Sequence, residues 1–326
     1  MTMRELAKLA NVSVSTVSKA FADAEDVGNE TKQHIFRIAK EKGCFGKFYK
    51  GKFPKKVYAI ICSELISNYY IGFVERLQNF IEKNNGIAVI SVDHFDAARQ
   101  AELIEYYASY LHVDGILVFG LQAPIKKGYE IPLVALFSSI DTNVDSVKLN
   151  IEAALGEVVK HLYALGHRKL AYLYEPLARS KAHCFQEVCS TYGDIEVYSY
   201  QSHERFELAG QDGAQHVLEE APDCTALVCA YDNVAIGAIK QLQKAGYTVP
   251  GDYSVIGSDN INTLEFLETT LSSIDSCPDE ICQIAWDLLS RKEKNRYWRS
   301  NREIIVKGIP VMRESVGAPR TNAQAD

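Results

Sequence analysis

The chain has 326 residues, 47% of them hydrophobic and 24% charged, with a formal net charge of −7. This composition excludes a disordered or collagen-like chain and leaves room for one small module and a large body. No apolar run approaches the roughly 18 residues of a membrane span, and no basic stretch followed by an apolar run marks a secretory signal. No membrane association is expected, and the expected location is the cytoplasm.

Residues 3–21 read as two short helices joined by a tight turn. Leu6, Ala7 and Ala10 recur at the spacing that buries one helix face. Asn11 stands where the turn needs a left-handed backbone, and Ser13 is placed to cap a second helix from 14 to about 22. Val17 and Phe21 face inward, which leaves Val14, Ser15, Ser18 and Lys19 on the outside. A third helix is expected with Asn29 as its cap, Ile35, Ile38 and Ala39 as its apolar stripe, and Gly43 beyond its end. A three-helix unit of this kind is either a helix-turn-helix DNA reader or an ordinary small helical core. Charge favours the reader: residues 1–56 carry twelve Lys or Arg against six acids, a balance of +6, so the remaining 270 carry −13. Five of the twelve lie between Lys47 and Lys56, and a solvated basic linker is the plainer explanation of those. A basic head on an acidic body suits a protein that holds phosphates at one end only.

From Val57 onward, short apolar runs alternate with helical periodicity. Strands are expected at 57–62, 87–92, 115–119 and 132–136, with helices at 70–84 and 97–111 between them. The unit recurs with helices at 152–165, 180–192, 207–220 and 233–245, and strands at 169–174, 195–198, 226–230 and 254–257. Two β-α-β series in succession imply α/β lobes of doubly wound parallel sheet. Ligands in such sheets bind beyond the carboxyl ends of the strands, which nominates Ser63, Tyr231, Asp232 and Asp259. Tyr69 and Tyr70 offer ring faces for stacking on a sugar, or simple packing.

No nucleotide-binding, nucleophile-elbow or zinc-protease motif is present, and no enzyme, cofactor or metal is expected. Asp93-His94-Phe95-Asp96 lies at a strand-to-helix junction, where aspartate is expected as a cap, and His167 is read as structural. The eight cysteines lack metal-ligand spacing and several sit in apolar runs, so buried free thiols are expected.

The segment from Arg4 to Lys19, with Val113-Asp-Gly-Ile-Leu117, Leu165-Gly-His-Arg-Lys-Leu-Ala171, Asp232-Asn-Val-Ala-Ile-Gly237, the run from Gly246 to Asn260, Leu271-Ser-Ser-Ile274 and Val311-Met-Arg-Glu-Ser315, resembles the lactose/galactose repressor family of bacterial transcription regulators. The motifs follow the family's order through most of the chain. The resemblance implies a helix-turn-helix head at 1–45, a basic hinge at 46–56 and a two-lobed, periplasmic-binding-protein-like body at 57–317. The proximal lobe would hold about 57–145 and 276–308, the distal lobe about 146–275 and 309–317, and a disordered tail would follow at 318–326. It further implies a homodimer acting as a repressor on a pseudo-palindromic double-stranded operator, controlled by a small effector: a sugar, sugar phosphate or nucleobase.

The family's base-reading positions fall on Val14, Ser15 and Lys19, and Thr16, Ser18 and Thr31 suit phosphate contacts. Its ligand positions match Tyr69, Tyr70, Lys181, Tyr231, Asp232 and Asp259, with Phe206 a looser match and Ser63 nominated by the strand-end rule. The chain departs from the family at Lys181, where an Arg is usual, at Cys184, where a Gly is usual, and at Tyr231, where an Asn is usual. Its hinge is also about three residues shorter and interrupted by Gly46, Gly51 and Pro54. A basic strap is expected there, with Lys47 and Lys50 on phosphates and Phe48 or Phe53 as a minor-groove wedge. Competing readings are control by a phosphorylated protein partner and, further off, a ligand-binding protein without DNA function.

Overall fold

The computed structural model describes residues 1–22, 24–48, 55–125, 131–294 and 302–320, in two compact units, Met1–Lys56 and Val57–Asp326. In the first unit, helix α1 (Met3–Leu9) opens on a reciprocal cap: Glu5 N donates to the Thr2 hydroxyl, and Thr2 N donates to the Glu5 carboxylate. Asn11 turns the chain at φ 54°, and α2 (Val14–Phe21) starts where Thr16 N donates to Ser13 Oγ at 2.9 Å. Gly28 rather than Asn29 caps α3 (Asn29–Glu41), and a single turn, α4 (Phe45–Phe48), follows. The core joins Leu6, Val17, Ala20, Phe21, Ile35 and Ala39 to Phe48. Phe21 is the hub, with the rings of Phe36, Phe45 and Phe48 at 5.1, 5.7 and 5.8 Å.

In the second unit the chain runs β1 (Lys56–Cys62), α5 (Asn68–Lys83), β2 (Gly86–Val92), α6 (Ala97–Glu105), β3 (Gly115–Leu121), β4 (Leu133–Ser139) and β5 (Asp145–Asn150). It continues through α7 (Ile151–Leu165), β6 (Lys169–Tyr174), α8 (Arg179–Ser190), β7 (Glu196–Gln201), α9 (Phe206–Glu220), β8 (Ala226–Cys229), α10 (Asp232–Lys244) and β9 (Ser254–Ile256). It closes with β10 (Ser273–Asp275), α11 (Pro278–Lys294), β11 (Glu303–Lys307) and β12 (Ile309–Val311). The proximal sheet has the order β11-β5-β4-β3-β1-β2 and the distal one β7-β6-β8-β9, while β10 and β12 form a two-stranded antiparallel ribbon. Each sheet buries aliphatic residues on both faces, the reason its strands read as continuous apolar runs.

The structure departs from the sequence expectations at two boundaries. The proximal sheet extends to residue 150 rather than 145, because β5 pairs with β4 (Ala135 opposite Ser146) and with β11 (Ile304 opposite Val147). Asp145-Ser-Val-Lys-Leu-Asn150 is too polar to announce a buried strand, and only its two partners make it one. Residues 318–320, expected to be disordered, pack on the distal lobe. The Arg320 guanidinium lies 4.4 Å from the Tyr253 ring centre, and just before it Gly317 O accepts from His167 Nε2 at 2.9 Å. His167 is fully buried, with Nδ1 2.7 Å from Thr225 Oγ1, so its structural reading stands. All eight cysteines are free thiols, six of them buried.

Candidate DNA-reading head and interlobe crevice

Helix α2 buries Val17, Ala20 and Phe21 and turns Val14, Ser15, Ser18 and Lys19 to solvent. Val14 is 42% exposed. Thr16 is half-buried, its hydroxyl 2.8 Å from Ser13 Oγ, and Thr31 is half-buried in the first turn of α3. Lys19 pairs with Asp26, and this hydrogen bond holds the Asp26 carboxyl below its ordinary pKa. Arg4, Lys8 and Asn11 line a shallow hollow with Ser13 and Val14 beside the start of α2. Sequence reasoning passed over these three as donors, although Arg4 and Lys8 are separated by one helical turn.

The hinge expectation needs correcting at Phe48. Only 7% exposed, Phe48 packs in the head's own core against Phe21, so its ring is committed to folding and is not free to wedge into a groove. Lys47 is exposed, with Nζ donating to Met1 O at 3.3 Å. Lys50 and Phe53 lie outside the described residues.

In the body, strand ends from both lobes converge on one crevice. From the proximal side come Ser63 and Glu64 after β1, and Tyr69 and Tyr70 at the start of α5. The Tyr69 ring lies 5.3 Å from Phe137 and the Tyr70 ring 5.8 Å from Phe119. From the distal side come Glu175 after β6, Lys181 in α8, Arg205 and Phe206 at the start of α9, Tyr231 before α10, and Asp259 after β9. Lys181 Nζ donates to Ala230 O at 3.0 Å, lies 4.6 Å from the Tyr231 ring centre and is 4.0 Å from Asp259 Oδ1.

Arg205 joins the lobes. Its Nη1 donates to Glu64 Oε2 at 2.9 Å and its Nη2 to Glu175 Oε1 at 3.2 Å, with a second, longer Nη2 contact to Glu64 Oε1. Glu175 also accepts from Phe206 N at 3.2 Å, and the Arg205 guanidinium lies 4.3 Å from the Phe206 ring centre. Glu175 is completely buried and the Glu64 side chain is 9% exposed, so neither carboxylate is charged at low cost without the guanidinium. Burial works against the charge of Arg205, but hydrogen bonds to Glu64 and Glu175 outweigh it and raise its pKa.

The other crevice groups are tuned by one another. Burial, then Asp259, pushes the Tyr69 phenol well above its ordinary range. Burial and Glu64 push Tyr70 to about 12, against a hydrogen bond from Ser63. Burial raises Asp259 despite Lys181. Tyr69 feels the charge of Asp259 and the phenol of Tyr231 from the opposite lobe.

Ser63, Tyr69, Tyr70, Lys181, Phe206, Tyr231 and Asp259 thus come together. Asp232 does not join the lining. It is fully buried, and its carboxylate accepts from Ser273 Oγ at 2.6 Å and from Ile261 N at 2.9 Å, bracing the loop that carries Asp259. Burial raises its pKa to about 6. Glu64, Glu175 and Arg205 were missed, although Glu64 and Glu175 obey the same strand-end rule that selected Ser63. Asp96 caps α6 as expected, accepting from Ala98 N at 2.8 Å, and the buried Asp93 accepts from Gln100 Nε2 at 2.7 Å.

Comparison with known proteins matches residues 2–43 to the bacterial regulatory proteins of the lacI family, and residues 159–316 to the periplasmic binding protein-like domain. The two matches fall in the order the family requires and together take in more than half of the chain. The chain belongs to the lacI family. Among curated relatives, the ribose operon repressor of Haemophilus influenzae is 26% identical, with 97% of this chain and 98% of that one aligned. In fold, this lacI-family member is similar to a transcriptional regulator from Silicibacter pomeroyi (TM-score 0.75, 20% identity, 97% and 99% covered). It is also similar to the Lac repressor dimer bound to operator and the anti-inducer ONPF (TM-score 0.72, 20% identity, 98% and 99% covered). As a lacI-family member the protein is a DNA-binding regulator of transcription and not an enzyme. No helix among the described residues is long and apolar enough to cross a membrane.

Proposed function

We propose that the protein is a repressor that binds a pseudo-palindromic operator as a homodimer, each head reading one half-site, with affinity set by a small effector in the interlobe crevice. The observation that carries this reading is the exposed face of α2, where Val14, Ser15, Ser18 and Lys19 project from a helix locked by its Ser13 cap and by Val17 and Phe21 behind. Lys19 reaches guanine O6 or N7 and Val14 packs on a thymine methyl, while Ser15 completes the base-facing set. Thr16, Ser18, Thr31 and Lys47 hold phosphates and fix the register.

The effector is a sugar or a nucleoside-like compound. Tyr69, Tyr70, Tyr231 and Phe206 supply ring faces, and Ser63, Lys181 and Asp259 supply polar partners. Because residues from both lobes line the crevice, a ligand held there interacts differently with different lobe arrangements, the physical condition for shifting the DNA-binding population. A regulator of this kind works in the bacterial cytoplasm, beside its operator.

The test is fluorescence anisotropy on duplexes selected from a random pool. Affinity should fall steeply with salt. Lys19→Ala should cost about tenfold and relax preference at one base pair per half-site. An absence of salt-sensitive affinity for any duplex would sink the reading.

A further inference from the structure

We propose that the crevice is selective for an uncharged, polyhydroxylated effector and rejects phosphates and carboxylates, with Glu64 as the residue that sets this discrimination. The inference rests on the crevice being the effector site and narrows the ligand class.

Among the described residues at the crevice, Arg205 is shared by Glu64 and Glu175, and Lys181 is held between Asp259, Ala230 O and the Tyr231 ring. Neither cation is therefore without a partner: Arg205 holds Glu64 and Glu175, and Lys181 lies 4.0 Å from Asp259 Oδ1. An anionic ligand must break an existing pair to gain a partner, and it leaves a buried carboxylate behind, the costly way to open an ion pair.

Helix N-termini beside a ligand crevice are the ordinary seats for phosphate, because their N–H groups and dipole favour negative charge. At α9 that seat is taken: Phe206 N donates to Glu175 Oε2 at 3.2 Å. At α10 the first turn carries buried Asp232, and Asp232 N donates to Ser258 O at 2.8 Å. At α5, Tyr70 N donates to Ser67 Oγ at 3.3 Å. At these three helices a first-turn N–H is thus already engaged, whereas α8, which carries Lys181 in its first turn, has no side-chain cap.

What remains suits hydroxyl groups. Carboxylate oxygens of Glu64 and Asp259 accept from hydroxyl donors, and the rings of Tyr69, Tyr231 and Phe206 meet the apolar face of a furanose or pyranose. Glu64 is the discriminating member because it comes from the opposite lobe and is the second carboxylate on Arg205, beside the buried Glu175. With Glu64 neutral, Arg205 keeps Glu175 and loses the competing negative charge of the opposite lobe.

The experiment uses the full chain and matched pairs of probes: D-ribose with D-ribose 5-phosphate, cytidine with cytidine 5′-monophosphate, and D-galactose with D-galacturonate. Affinities are read by calorimetry, with thermal shift as a second readout. At least one uncharged member should bind, and its anionic counterpart should bind about tenfold or more weakly. Glu64→Gln, checked for unchanged folding by its circular dichroism, should narrow that ratio by about tenfold. An anionic member that binds as well as its neutral counterpart overturns the proposal, as does a panel in which no uncharged member binds. An unchanged ratio in Glu64→Gln overturns the role given to Glu64. Duplex binding by the same preparations is measured separately, so failure of the regulator reading shows there and not in the ratio.

Discussion

Helices α9 and α10 cross so closely that each needs a glycine at the contact, and Ala substitutions there test the crossing directly. A Cβ at position 237 would lie 1.9 Å from Glu207 O and 2.7 Å from Glu207 C; one at 210 would lie 1.9 Å from Val234 O and 2.7 Å from Ala238 N. A carbon and an oxygen at ordinary contact are roughly 3.2–3.5 Å apart, so either Ala must separate the helices by about 1.3 Å or more. The obstructing atoms are backbone, and no rotamer change relieves them. The cost therefore falls at the upper end for overpacked cores, about 3 kcal/mol. For a body of this size that corresponds to a drop in Tm of about 6–12 °C. Gly156 supplies the control. It lies inside α7 with nothing near its virtual Cβ, and Gly156→Ala should raise stability by about 0.5–1 kcal/mol. Urea and thermal unfolding of the three variants give the comparison, followed by effector affinity, because α9 carries Arg205 and Phe206 at its start and α10 follows Tyr231. If Gly237→Ala melts with the parent protein, the close crossing is not a property of the folded chain and the reasoning fails.

Further outcomes follow from the head and from buried titrating groups. Phe48→Ala should cost about 3–5 kcal/mol and unfold the head while leaving the body's melting transition in place; a groove-wedging Phe48 would instead change DNA bending with no loss of head stability. Asp26→Asn should release Lys19 and tighten DNA binding in anisotropy titrations, whereas weaker binding would show that Asp26 orients Lys19 for its contact. Asp232 has a native pKa raised from 3.8 to about 6, so the stability it contributes is present below pH 3.8 and is lost as pH rises through 6. Asp232→Asn should flatten that part of the stability–pH curve, since an amide can still accept from Ile261 N and donate to Ser273 Oγ. His167 has the opposite sign: burial lowers its pKa from 6.5, so its contribution is intact above 6.5 and is lost as pH falls below that value. His167→Gln should remove this acid-side loss.

Features set by local chemistry follow from the order of residues alone. The Ser13 cap, the left-handed turn at Asn11 and the inward spacing of Val17 and Phe21 act within a few residues, so the head was legible from the chain alone. The alternation of apolar runs with helical periodicity likewise indicated the doubly wound lobes, and the strand-end rule nominated Ser63, Tyr231 and Asp259 as candidates. Other features arise on folding, because the partners that set them are remote in the chain. Polar β5 becomes an interior strand through β11, more than 150 residues away, and Phe48 joins the head core by packing against Phe21. Arg205 meets Glu64 across 141 residues and Glu175 across 30. No periodicity encodes such an ion pair. It exists because two sheets bring their carboxyl ends to the same gap, where buried carboxylates require a shared cation.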